Sequence, residues 1–311
     1  MPQCYQSGPY IYWTTRRIAP QYSSKNGEWR QGLKTTQEAP AHDAITVAVA
    51  QFASVADTKA NIDRIAALTA QAAARGARLV AFPEAASYAF TASAGELAEV
   101  AGRDGAAFRA AMAEIARDNG VDLAVGLYAQ GKSELSDNLL VVFGADGSER
   151  GSYHKLHLYD AFHYRESDKN STAALKPGFA ELTVFDLGPF RFGLVNCYDL
   201  RFPEMTRALV DLGADVLVVC AGWVAGPLKE LHWETLLRAR AIENTVYVMA
   251  SSQPAPLSAG LSMVVDPTGL VLGTVPAAEG LAVATLSRRH LEEWRETVPS
   301  LRHRRYAITA R

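Results

Sequence analysis

The chain has 311 residues, 49% of them hydrophobic and 21% charged, which suits one large α/β domain or two ordinary ones with a substantial core. Lys and Arg number 31 against 33 Asp and Glu, a formal net charge of −2, so nothing in the balance attracts nucleic acid or an anionic membrane as a general partner. Three cysteines, Cys4, Cys197 and Cys220, are too few and too scattered for a disulfide scaffold and suit a reduced, cytoplasmic setting.

Residues 1–43 show no sustained period of 2 or 3.6 and mix Tyr, Trp, Gly, Pro and charge. They read as a flexible extension, with a docking arm as the alternative. Arg16-Arg17 has no apolar run behind it and makes a poor export signal. A single domain is expected over 44–311. Ile45–Ala50 reads as a strand, and Thr58–Ala74 carries Ile62, Ile65, Ala66 and Leu68 at helical spacing. A second strand, Ala77–Phe82, leads into a long Ala-rich helix ending near Asp118. Val121–Tyr128, Asn138–Phe143 and Glu149–Tyr153 read as successive strands, with Asp146-Gly147 as a hairpin turn. A polar loop runs from His154 to Gly178.

Strands resume at Leu182–Phe185 and Arg191–Asn196, followed by a helix through Leu212 and the strand Asp215–Cys220. The most apolar stretch, Val216–Leu228, contains Gly and Pro and falls short of the roughly 20 residues that a membrane span needs. Beyond it come a helix near Leu231–Glu243 and the strands Thr245–Ala250, Ser262–Val265, Leu270–Val275 and Leu281–Thr285, then a helix from Ser287 to about Glu296. Each half of the chain runs strand, helix, strand, with antiparallel hairpins between. Two sheets packed face to face with helices outside would bury such strands on both faces. An ordinary doubly wound sheet is the alternative.

Three groups stand at strand ends. Glu84 follows Leu79–Phe82, Lys155 follows the strand ending at Tyr153, and Cys197 follows Phe192–Asn196. Singly, Glu84 also fits a surface carboxylate, and Cys197 fits either an inert or a reactive thiol, since a helix start and a nearby cation favour thiolate. Together, a carboxylate, an ammonium and a thiol can converge on one rim of a sheet, where α/β ligands bind. Cys220, inside Val216–Val219, reads as a buried apolar side chain. His154 and His157 are three apart and could face a metal, but no further ligands are evident. A Cys-His-Asp hydrolase using His157 and Asp160 is a rival reading.

FPE at Phe82–Glu84, HKLHLYD at His154–Asp160 and NCYDLRFPE at Asn196–Glu204 resemble the nitrilase superfamily of carbon–nitrogen hydrolases. The resemblance extends from about Ile45 to Glu296 and implies a four-layer αββα sandwich. It implies a Glu84-Lys155-Cys197 triad, with Glu166 as a supporting second glutamate. The loop Asp160–Arg165 departs from the Asp-Val-Asp-(Ile/Val)-Pro-Gly type of several relatives, which leaves the placement of Glu166 open. The backbone N–H of Tyr198 is expected to donate to an oxyanion, Asp199 to fix the turn or cap the helix, and Glu204 to belong to the helix beyond. Cys-Tyr-Asp looks like the amidase branches, and CYDLRFPE resembles the omega-amidase and deaminated glutathione amidase branch. That likeness implies cysteine-dependent hydrolysis of a small carboxylate-bearing amide, with Arg201 holding the carboxylate. A nitrilase or N-carbamoyl hydrolase, or a silent binding protein of the same fold, is the alternative. Neither metal nor organic cofactor is implied, and a homodimer or higher homo-oligomer is. The basic stretch Leu301–Tyr306 reads as an interface arm or a solvated tail.

Overall fold

Strand alternation sorts the first sheet into two faces. In β1 (Ala44–Gln51), Val47 and Val49 enter one apolar cluster, while Ala48 and Ala50 enter another. A strand that is apolar on both faces must be covered on both. The computed structural model, which describes residues 43–131 and 134–310, shows what covers it. The expected extension, but for Asp43, lies outside the described residues.

The chain continues through α1 (Thr58–Ala74), β2 (Leu79–Ala81), α2 (Ala94–Asn119), β3 (Asp122–Gln130), β4 (Ser136–Phe143) and β5 (Glu149–His154). A small hairpin, β6 (Asp160–Ala161) with β7 (Tyr164–Arg165), and the short β8 (Asn170–Ser171) follow. Next come β9 (Val184–Leu187), β10 (Phe190–Asn196), α3 (Pro203–Asp211), β11 (Val216–Ala221), α4 (Lys229–Asn244) and β12 (Tyr247–Ser252). β13 (Ser262–Val265), β14 (Val271–Val275), β15 (Gly280–Ser287) and α5 (Arg288–Thr297) complete it.

One sheet has the order β15-β1-β2-β3-β4-β5, with β8 beside β4; the other has β14-β13-β12-β11-β10-β9. Each has a parallel centre, β1-β2-β3 in one and β10-β11-β12 in the other. The sheets meet face to face, with β1 on β12 and β11 on β2 and β3. Helices α1 and α2 cover the outer face of the first sheet through Ile65, Ala72, Phe108 and Met112. α3 and α4 cover the second through Leu209 and Leu237. This is the four-layer αββα sandwich, and the doubly wound alternative is set aside.

Helix ends follow local chemistry. Asp57 caps α1 by accepting from the Ala60 N–H at 3.0 Å, and Ser93 caps α2 by accepting from the Glu96 N–H at 3.3 Å, each worth about 1 kcal/mol. α2 therefore starts ten residues beyond Glu84 rather than directly after the strand. The helix expected through Leu212 is also divided, into a short 3₁₀ turn, Cys197–Arg201, and α3. Pro203 is the reason: it lacks an N–H to continue a helix and forces Phe202 to an extended ψ of 92°. The polar loop from His154 to Gly178 holds the β6–β7 hairpin and β8. Past α5, Arg304 pairs with Asp211 of α3 while Tyr306 stays exposed. Among the described residues no helix is long and apolar enough to cross a membrane.

Candidate active site

Glu84, Lys155 and Cys197 come together from three strand ends. β2 and β10 are central parallel strands, so the chain just beyond each emerges on the rim where α/β sheets open their clefts. Glu84 is turned inward by an unusual backbone: Ala85 has φ 56°, and Gly126 of β3 lies directly behind. A Cβ on Gly126 would stand 2.5 Å from the Glu84 Cα and 2.6 Å from the Pro83 carbonyl oxygen. Only glycine permits that approach.

Lys155 is 1% exposed and donates from Nζ to Glu84 Oε1 and to Glu166 Oε2, both at 2.7 Å. A buried lysine between two carboxylates is tolerable because every charge is met by further donors. Asn138 Nδ2 bridges the two acids, donating to Glu84 Oε1 at 2.8 Å and to Glu166 Oε1 at 3.0 Å. The Gly222 N–H donates to Glu84 Oε2 at 2.8 Å, and the Tyr159 N–H to Glu166 Oε2 at 2.7 Å. Burial pushes the Glu84 carboxyl up, but the Lys155 charge and these hydrogen bonds outweigh it and hold it below the ordinary glutamate value. Burial acts to lower Lys155, yet Glu166 and Glu84 carry it well above the usual lysine value. The lysine is an ammonium and Glu84 an anion.

Cys197, whose charge state the sequence left open, is buried. Burial first, then the Glu84 charge, push its thiol well above the usual value, and Lys155 only partly opposes them. The 3₁₀ turn that starts there is five residues long, too short for a large helix field. The thiol lines the same pocket as Glu84. Its φ of 49° is a left-handed conformation that costs a non-glycine residue on the order of 1 kcal/mol. Asp199 holds the strained turn: Oδ2 accepts from the Asn196 N–H at 3.2 Å and the Tyr153 hydroxyl at 2.8 Å, and Oδ1 from the His157 N–H at 3.1 Å. Tyr198 lies in the first turn of the 3₁₀ segment, where its N–H has no carbonyl of that turn to reach.

The Cys-His-Asp rival is not assembled. The His157 ring meets Asp199 Oδ1 at 2.7 Å and stacks on Phe202, while Asp160 accepts from Ser167. His154 points to Ser171 instead of joining His157. Cys220 is buried in β11, and burial raises its thiol as well. Glu204 is exposed in the first turn of α3. Arg201 lines the pocket with its guanidinium 4.8 Å from the Trp223 ring, and no carboxylate of the described residues pairs with it. Sequence reasoning missed Asn138, the Gly222 N–H and Lys229, which all reach the same pocket. Only Asn138, the last polar residue before the apolar run Leu139–Phe143, left a signal that could have been read.

The carbon-nitrogen hydrolase family model matches residues 46–296. The chain belongs to that family. It is a carbon–nitrogen hydrolase of the amidase type within the nitrilase superfamily. Deaminated glutathione amidase of Escherichia coli O157:H7 is 32% identical over 261 residues, covering 84% of this chain and 97% of the relative. Among solved structures, the Caenorhabditis elegans NitFhit protein superposes with a TM-score of 0.77 at 29% identity, over 86% of this chain and 67% of its own. A mutant amidase from Nesterenkonia sp. AN1, showing covalent addition of the acetamide moiety of fluoroacetamide at the active-site cysteine, has a TM-score of 0.71 at 26% identity, over 84% and 97%.

Proposed function

We propose that this carbon–nitrogen hydrolase cleaves the amide of a small carboxylate-bearing molecule and releases ammonia through a thioester on Cys197. The observation that carries the reading is the hydrogen-bonded set Glu84, Lys155 and Glu166, which lines one pocket together with Cys197. Glu84, an anion beside a protonated thiol, takes the Cys197 proton as sulfur attacks the amide carbon. Lys155 and the Tyr198 N–H stabilise the tetrahedral oxygen, at roughly 3 kcal/mol per well-placed donor. Glu84 returns the proton to the departing ammonia. Water then attacks the thioester with Glu84 again as base, releasing the acid and the thiol.

Glu166 accepts from Lys155, Tyr159, Asn138 and Asn170, so its lone pairs are already taken. In this reading it positions Lys155 and leaves proton transfer to Glu84. In the same pocket, Arg201 pairs with no carboxylate of the described residues and is suited to a substrate carboxylate. Similarity to relatives named deaminated glutathione amidase supports the same substrate class.

The test is ammonia release from matched carboxylated amides, neutral amides, nitriles and carbamoyl compounds. Carboxylated amides should give the highest kcat/KM. Cys197→Ala should release no ammonia above background, Cys220→Ala should retain activity, and a substrate-derived acyl group should appear by mass spectrometry on the Cys197 peptide. Turnover by Cys197→Ala would end the covalent reading.

A further inference from the structure

Lys229 opens α4 and is 4% exposed, yet no carboxylate of the described residues pairs with it. Its Nζ donates to the Tyr159 hydroxyl at 3.0 Å and stands 4.3 Å from the Phe162 ring centroid, 4.9 Å from Tyr159 and 5.6 Å from Trp223. The Trp223 indole N–H, in turn, donates to the Lys229 carbonyl at 3.0 Å, which fixes the helix start against this wall. An ammonium walled by aromatic rings is partly stabilised by their faces, but it has exchanged most of its water for one hydroxyl.

A second cation is beside it. Arg201 rests on the same Trp223 ring, and both side chains line the pocket that contains Cys197. Burial, and then the Arg201 charge, hold Lys229 below the ordinary lysine value. Two like charges kept together without a protein anion disfavour the empty site, and a bound anion between them removes that cost. Lys155 is the contrast: it is met by two carboxylates of the protein.

We propose that Lys229 is a specificity-determining residue that binds the substrate's remote carboxylate jointly with Arg201, in the pocket that also contains Cys197. The occupant is an acyclic amide whose far end is a carboxylate, one oxygen facing each cation, with the aromatic rings flanking the chain. The inference rests on the proposed amidase reading and adds to it the residue that selects the acid end.

Succinamate and butyramide test it, being matched in length and differing in a carboxylate against a methyl. The measured quantity is the ratio of their kcat/KM values. In Lys229→Met that ratio should fall about 10- to 150-fold, mostly through the KM of succinamate. Lys229→Gln is the second variant should Met misfold. The wild-type protein supplies a third measurement: succinate should slow reductive methylation of Lys229 at least about fivefold by peptide mass mapping, the protection expected of a bound charge pair. An unchanged ratio in a folded variant, or unaltered methylation in the presence of succinate, overturns the role of Lys229. If the wild type itself shows no preference for succinamate, the carboxylate reading of the function fails instead.

Discussion

Phe-Pro-Glu occurs twice, each time after a buried parallel strand, and the two copies end in opposite environments. At Phe82–Glu84 the glutamate is buried and takes hydrogen bonds from Lys155, Asn138 and Gly222. At Phe202–Glu204 the proline is the first residue of α3 and the glutamate is exposed in its first turn. The tripeptide is the same, so the difference lies in what faces it. Gly126 leaves room for the first copy to turn inward, while an intervening 3₁₀ turn carries the second past the pocket. A motif acquires chemistry only when a neighbouring strand provides the space and the donors.

The sharpest way to break that comparison is to neutralise both glutamates. Glu84→Gln should lower kcat/KM for ammonia release by about a thousandfold or more, since it removes the proposed proton acceptor. Glu204→Gln should leave it within about twofold, because its carboxylate contacts solvent. Comparable losses in the two variants would refute the assignment of roles. Next in size is Gly126→Ala, whose methyl group must displace the Glu84 backbone. A shift approaching 1 Å should cost about 10- to 100-fold in kcat/KM, and a crystal structure should show Glu84 moved; full activity would mean that the turn yields harmlessly.

The pH dependence sharpens the same contrast. Glu84 is held below its ordinary value, so the active carboxylate persists to lower pH than a free glutamate would allow. With a neutral amide, the acid limb of kcat/KM should lie below that of an ordinary glutamate. The sign for stability is the same: a depressed carboxyl contributes above its unfolded value, and the contribution is lost as pH falls through the folded one. An acid limb centred near pH 6 would contradict it. The smallest effect is on Glu204, an acid at a helix N-terminus. Its Gln variant should lose about 0.3–1 kcal/mol by urea unfolding, less at high salt.

Helix α1 matches the sequence reading because Asp57 caps it and its apolar spacing is regular. Strand existence was equally legible, since buried parallel strands read as continuous apolar runs. The triad was accessible for the same reason: each member stands just past such a run. Partners that act through the backbone or across elements were not. The Gly222 N–H has no side chain to notice, and Lys229 sits 32 positions beyond Cys197 behind a turn. The state of Cys197 was left open by the sequence because a thiol's charge depends on burial and on Glu84, neither of which adjoins it in sequence. Glu166 sits in a loop that departs from the relatives' pattern, yet Lys155 and Asn138 bring it into the site.

Asp199 has a mechanical consequence. It ties Tyr153 on β5 of one sheet to Asn196 on β10 of the other, and it also holds His157, two residues past Lys155. The lysine and the nucleophile are thus clamped by one carboxylate across the seam between the sheets. Neither half of the sandwich can loosen at this edge while the other keeps its share of the site. Amide exchange at Asn196 and His157 should therefore open together, in a single event that also abolishes turnover, so that the seam acts as a fuse for the whole catalytic assembly.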